Sequence, residues 1–123
     1  MKGPKVKRTA SSKRWLDRQL KDPYVAAAER RGYKSRAAFK LAEIDDAAHL
    51  LRPGAAVVDL GAAPGGWTQV AVERTTPRTT GGRVVAADTS PMDPIEGAVV
   101  LRLDVSAPEA ATRIRGALGR AAD

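Results

Sequence analysis

The chain has 123 residues and no cysteine, so it is one domain at most, without a disulfide framework or a thiolate metal site; its single histidine, His49, excludes most metal constellations. No run approaches the roughly 18 apolar residues of a membrane helix, and the basic N-terminus has no apolar segment behind it, which points to a soluble, cytoplasmic protein. The net charge of +7 is unevenly placed: residues 1–40 hold 13 Lys and Arg against 3 Asp and Glu, a net of +10, whereas residues 41–123 carry a net of −3.

A basic arm on a near-neutral body reads as a nucleic-acid contact attached to a ligand-binding fold, the alternative being a solvated tail that promotes solubility. Residues 1–12 are too poor in apolar side chains to offset their ordering entropy and are expected to be disordered when free. Trp15, Leu16 and Leu20, then Tyr24, Val25 and Ala28, are apolar points in a basic background. They fit a short helix docked on the body, with Lys13, Arg14, Arg18 and Lys21 facing outward. Trp15 and Tyr24 can either stack on bases or anchor packing. Gly32 closes that helix, and Ser35 is expected to cap the next, whose apolar positions Ala37, Leu41, Ile44, Ala48 and Leu51 recur at helical spacing. Lys40 lies off the centre of this stripe and by spacing alone is a surface charge. His49 suits the C-terminal dipole, and Arg52-Pro53-Gly54 stops the helix.

Ala56 to Leu60 reads as the first strand, and a helix from about Trp67 to Glu73 follows the glycine-rich turn behind it. Thr75 to Gly82 is a polar loop, Arg83 to Asp88 a second strand, Pro91-Met92-Asp93-Pro94 a rigid turn, and Val99 to Leu103 a third strand with Asp104 directly after it. Ser106-Ala107-Pro108-Glu109 has the pattern of a capping box opening a last helix through about Leu118. Alternation of strand and helix implies an α/β fold with a parallel sheet and right-handed crossovers. The chain is short for a doubly wound sheet.

Val57-Val58-Asp59-Leu60-Gly61-Ala62-Ala63-Pro64-Gly65-Gly66-Trp67 is a buried strand leading into a turn built for close approach. Gly61 can adopt left-handed dihedrals, and Gly65 and Gly66 leave no Cβ between main chain and ligand. Ala63 stands where dinucleotide-binding turns want glycine, which argues against NAD or FAD; the spacing suits S-adenosyl-L-methionine, which carries no pyrophosphate. In open parallel sheets ligands bind at the carboxyl ends of the strands, where the Gly61–Trp67 loop, Asp88 and Asp104 all fall. A carboxylate in the position of Asp88 can accept from both ribose hydroxyls, or cap a turn.

The stretch Asp59-Leu60-Gly61-Ala62-Ala63-Pro64-Gly65-Gly66-Trp67 resembles the cofactor motif of the FtsJ/RlmE family of ribosomal RNA ribose 2′-O-methyltransferases. Ser12-Lys13-Arg14-Trp15-Leu16 with Asp22-Pro23-Tyr24-Val25, Ser35-Arg36-Ala37-Ala38-Phe39-Lys40-Leu41, and Pro91-Met92-Asp93-Pro94-Ile95 agree with it in the family's order. The resemblance implies a Rossmann-like S-adenosylmethionine-dependent methyltransferase fold, here an incomplete parallel sheet of about three strands with N-terminal helices. It further implies 2′-O-methylation of a ribose, that of a uridine, in large-subunit (23S) ribosomal RNA, with that RNA and the large ribosomal subunit as partners and no metal. By resemblance, Gly65 and Trp67 contact the cofactor, Asp88 its ribose and Asp104 its adenine amino group. Lys40 takes the place of the first lysine in a catalytic Lys-Asp-Lys-Glu set.

On this reading residues 1–34 are a basic RNA-binding extension and residues 35–123 a partial FtsJ-like methyltransferase domain, the cofactor-binding half. The other three catalytic positions have no counterpart before Asp123. The family's strand order then leaves Val57–Leu60 as a raw edge, so the 123-residue chain alone is expected to be marginally stable and inactive. A non-catalytic RNA-binding protein on the same scaffold is the alternative of a different class; a nucleotide-linked dehydrogenase is disfavoured by Ala63.

Overall fold

The structure, a computed structural model, describes residues 22–123. The expected disorder of residues 1–12, the stacking of Trp15 and the outward lysines and arginines up to Lys21 lie outside the described residues. Helix α1 spans Pro23–Arg31 and α2 Ala37–Ala48; β1 (Ala56–Leu60) leads into α3 (Gly66–Thr75) and a single turn, α4 (Pro77–Thr80). Strands β2 (Arg83–Asp88) and β3 (Val99–Arg102) and helix α5 (Ala110–Leu118) complete the order.

The three strands are parallel in the order β1-β2-β3, with Val57 opposite Val84 and Val85 opposite Val99. Central β2 buries Val84, Val85, Ala86 and Ala87 because both its faces are covered. On one face α5 packs Leu118 and Ala110 against Ala56, Val85 and Ala87. Helix α3, with Val70 and Ala71 fully buried, packs against β1 and β2. Among the described residues β1 is an edge strand, and Leu60 at its end is 56% exposed. No helix among the described residues is long and apolar enough to cross a membrane.

Helix α1 begins as its sequence dictates. The Asp22 carboxylate accepts from the Tyr24 amide at 2.8 Å, Pro23 occupies the first turn, and Gly32 closes the helix in the left-handed region at φ 76°. Helix α2 departs from the expectation at both ends. Arg36, not Ser35, is the capping residue, without a side-chain cap, and the Ser35 carbonyl rather than its hydroxyl receives the Ala38 amide. The helix ends at His49, in the left-handed conformation, before Arg52-Pro53-Gly54. Its termination is set by Asp45, whose carbonyl accepts the His49 amide while its carboxylate accepts the Leu51 amide at 2.7 Å. The buried face holds Ala38 and Asp45, whereas Ala37 and Ala48 are exposed.

The last helix also starts later than the capping box implies. Glu109 is its N-cap without a side-chain bond, because the Ser106 hydroxyl and amide both donate to Asp104 Oδ1 at 2.7 and 2.9 Å. A local turn two residues long outcompetes the cap. Strand β3 stops at Arg102, one residue short of the expected end.

Candidate cofactor site

The carboxyl ends of β1 and β2 are bound together through the loop between β1 and α3. Gly61 takes φ 70°, and a Cβ added there would meet nothing within 4 Å, so its main chain faces open space. The amides of Gly61 and Ala62 donate to the Ala87 carbonyl at 2.8 and 3.1 Å, and the Ala63 amide donates to Asp88 Oδ2 at 2.9 Å. Three successive amides are thereby used inside the protein. They do not form the cluster of free donors that a pyrophosphate requires, which agrees with the reading against a dinucleotide.

Gly65 and Gly66 also serve the packing of the protein itself. A Cβ on Gly65 (φ 120°) would come within 2.6 Å of Ile95 Cδ1, 3.1 Å of Lys34 Cδ and 3.3 Å of Met92 Cε, and one on Gly66 within 2.4 Å of Ser35 Oγ. Their missing side chains make room for neighbouring segments of the protein. The Pro91–Ile95 turn is thus seated on the glycine loop, with Lys34 Nζ 3.7 Å from Asp93 Oδ2. The Ala63–Pro64 peptide is cis.

A cleft of about 610 Å3 runs along β1 and the loop after it, lined by Val57 to Leu60, Gly61 to Pro64, Leu41, Leu51, Ala71 and Trp67. Its size suits a nucleoside-sized ligand. Trp67, 39% exposed, presents its ring to the cleft while its indole Nε1 donates to the Ala37 carbonyl at 2.7 Å, so it both lines the site and fastens α3 to α2. Asp59 was legible as an acid in an otherwise apolar strand but was not assigned a role from sequence. Its Oδ2 accepts from the fully buried Thr68 hydroxyl at 2.8 Å, joining β1 to the first turn of α3. Burial pushes the Asp59 carboxyl up, against the Thr68 hydrogen bond, and the Asp88 charge adds to the rise.

Asp88 does not line that cleft but is bonded to the loop through the Ala63 amide. Oδ1 accepts from the Ser90 amide at 2.8 Å and Oδ2 from the Ala63 amide, and these bonds, Ser90 first, hold its carboxyl below the usual range. Oδ1 also accepts from the Thr89 hydroxyl at 3.5 Å, whereas Oδ2 keeps a further lone pair, so the turn-capping and ligand-accepting readings are compatible at Oδ2. Asp104 follows β3, exposed, and is likewise held low by Ser106, hydroxyl first and amide second. It is not part of the cleft wall.

Lys40 is exposed and lines a second, shallower groove of about 300 Å3 between α1 and α2, with Tyr24, Arg36, Ala37, Phe39 and Glu43. Ala37 belongs to both the groove and the cleft, so the two share a wall at the start of α2. In the groove the Arg36 guanidinium lies 5.5 Å from the Tyr24 ring centre and is ion-paired with Asp22; Phe39 packs against Tyr24 at 6.0 Å, tilted by 52°. Among the described residues no group of three or more His, Cys, Asp or Glu side chains could hold a metal.

Residues 33–123 match the family model described as FtsJ-like methyltransferase. The chain is 52% identical over 117 residues to the ribosomal RNA large subunit methyltransferase E of Bradyrhizobium sp. strain BTAi1, covering 95% of this chain and 51% of that protein. It is 53% identical over 120 residues to the protein of the same name from Paramagnetospirillum magneticum, covering 95% and 49%. A crystal structure of a ribosomal RNA methyltransferase from Plasmodium falciparum superposes with a TM-score of 0.56 at 30% identity, over 63% of this chain and 41% of that one. The chain spans about half the length of the curated relatives it matches.

Proposed function

The chain belongs to the FtsJ-like methyltransferase family, and from that premise we propose that it is the cofactor-binding half of an S-adenosylmethionine-dependent enzyme that methylates a ribose 2′-hydroxyl, that of a uridine, in large-subunit (23S) ribosomal RNA. The observation that carries this reading is the Asp88 carboxylate tied through the Ala63 amide to the glycine loop, at adjoining ends of two parallel strands. The residues present fit the cofactor: carboxylates stand at or just after the ends of two successive strands, one of them bonded to the glycine loop, and the Gly61, Ala62 and Ala63 amides are already used within the protein.

In this proposal the Gly61–Gly65 main chain and the Trp67 ring flank the cofactor, Asp88 accepts from its ribose hydroxyls and Asp104 from its adenine amino group. When bound, S-adenosylmethionine supplies an electrophilic methyl group. Lys40 places a positive charge on the groove that adjoins the cleft, where an acceptor strand would lie, and the basic residues ahead of α1 grip its phosphates. Alignment of donor and acceptor is the protein's main contribution to such a displacement. In this proposal the chain acts in the cytoplasm, at the large ribosomal subunit.

Replacing Asp88 by asparagine keeps one acceptor oxygen and removes the charge that strengthens its hydrogen bonds. Affinity for S-adenosylmethionine is expected to fall roughly tenfold to a hundredfold. Calorimetric titration measures this directly, and an unchanged dissociation constant would remove Asp88 from the ribose-binding role.

A further inference from the structure

The groove between α1 and α2 has a composition that the cofactor reading leaves unused. Tyr24 is 49% exposed, although burying an aromatic ring is favourable and Phe39 beside it is half-buried. One flank of the ring is covered by the Arg36 guanidinium, which the Asp22 carboxylate holds in place. The result is a preorganised step of a π face and a planar cation, open to solvent, with the Lys40 ammonium on the same groove. Glu43 is the one carboxylate in its wall. Aliphatic side chains that would receive a hydrophobic peptide are missing from that wall except for Ala37.

Nucleic-acid bases stack on aromatic rings and on guanidinium planes, and a lysine nearby meets the adjoining phosphate. Within residues 22–40, which carry this groove, five Lys and Arg stand against two Asp and Glu, a balance that favours a polyanion. We propose that the Tyr24–Arg36 step is a stacking platform for one unpaired base of the RNA, next to the nucleotide presented to the cleft. The shared wall at Ala37 puts platform and cleft side by side. The inference rests on the reading that this chain acts on RNA, and it adds the place where a base is held.

The test is fluorescence anisotropy of the full chain with a short labelled single-stranded RNA and with a series in which each nucleotide in turn is abasic. One abasic position is expected to weaken binding by about 5- to 100-fold, the range for a single base stacked on a protein ring. Tyr24→Leu, which keeps an apolar contact with Phe39 but offers no π face, should erase that penalty, and Tyr24→Phe should retain it. Lys40→Ala should weaken intact and abasic RNA alike. A flat abasic series, or a penalty that survives in Tyr24→Leu, overturns the proposal; the latter outcome would move the stacking surface elsewhere. Titration of the wild type with S-adenosylmethionine keeps the two readings apart. Cofactor binding with a flat series defeats the platform alone, and a base preference without cofactor binding defeats the methyl-transfer reading alone.

Discussion

Gly65→Ala is expected to destabilise the protein by roughly 2 to 4 kcal/mol, combining left-handed backbone strain with overpacking. Gly65 holds φ at 120°, a region L side chains rarely adopt, and its new methyl would lie 2.6 Å from Ile95 Cδ1. Ile95 is itself buried and has little room to retreat. Lys34 and Met92 can yield through their flexible ends, so the strain concentrates on the backbone and on Ile95. Because the Pro91–Ile95 turn is seated on this glycine, its displacement should also disturb the loop that Asp88 holds and weaken cofactor binding. Gly66→Ala makes an informative partner. Gly66 lies in the first turn of α3 outside the left-handed region, and its methyl would meet chiefly the Ser35 hydroxyl, which can rotate away. Thermal melts should rank Gly65→Ala well below Gly66→Ala; equal melting temperatures would refute the packing account of the glycine pair.

Asp45→Ala is expected to destabilise the protein by about 2 to 3 kcal/mol, since it deletes a buried charged acceptor and leaves its donors partly unsatisfied. Asp45 receives the Leu51 amide and, at 3.0 Å, the Arg74 guanidinium, which also reaches Asp46 at 2.6 Å. This cluster fastens α2 to α3. The Leu51 hydrogen bond foremost, with help from Arg74 and against the effect of burial, holds the Asp45 carboxyl below its ordinary value of 3.8. A carboxylate that binds its proton less readily when folded contributes stability that is complete above the unfolded pKa and is lost as pH falls through the folded one. The gap in stability between the wild type and Asp45→Asn should therefore be constant near neutrality and shrink only below about pH 3.8. Denaturant titrations at several pH values measure it. A gap that closed at neutral pH would rule out the ionised Asp45 as its source.

What could be read from sequence follows the range of the interactions involved. Strands β1 and β2 have the limits that their apolar runs and bounding glycines imply; burial on both faces of a parallel sheet leaves a continuous apolar signal in β2, whereas β1, at the sheet's edge among the described residues, is only partly buried. Helix ends were less legible, because each is decided by a competition between nearby polar groups. Ser106 has the spacing of a cap, yet Asp104 two residues earlier captures its hydroxyl. The α2 stripe was expected to bury Ala37 and Ala48; instead the buried face is set by Asp45, whose partner Arg74 lies 29 residues away. An acid on an otherwise apolar face was the visible sign, but its cation could not be identified from local pattern. The glycine pair was read as making room for a ligand, and only the arrival of Ile95 and Ser35 from elsewhere in the chain shows what fills that space.

The central claim is that the loop after β1, together with Asp88, is shaped for a nucleoside cofactor that lacks a pyrophosphate. Its most direct test is calorimetric titration of this chain with S-adenosylmethionine and, in parallel, with NAD. The account predicts saturable one-site binding of S-adenosylmethionine and no heat of binding with NAD, because the Gly61, Ala62 and Ala63 amides that would cradle a pyrophosphate are already bonded to Ala87 and Asp88. Binding of NAD at this loop, or no binding of S-adenosylmethionine to the folded chain, would contradict it.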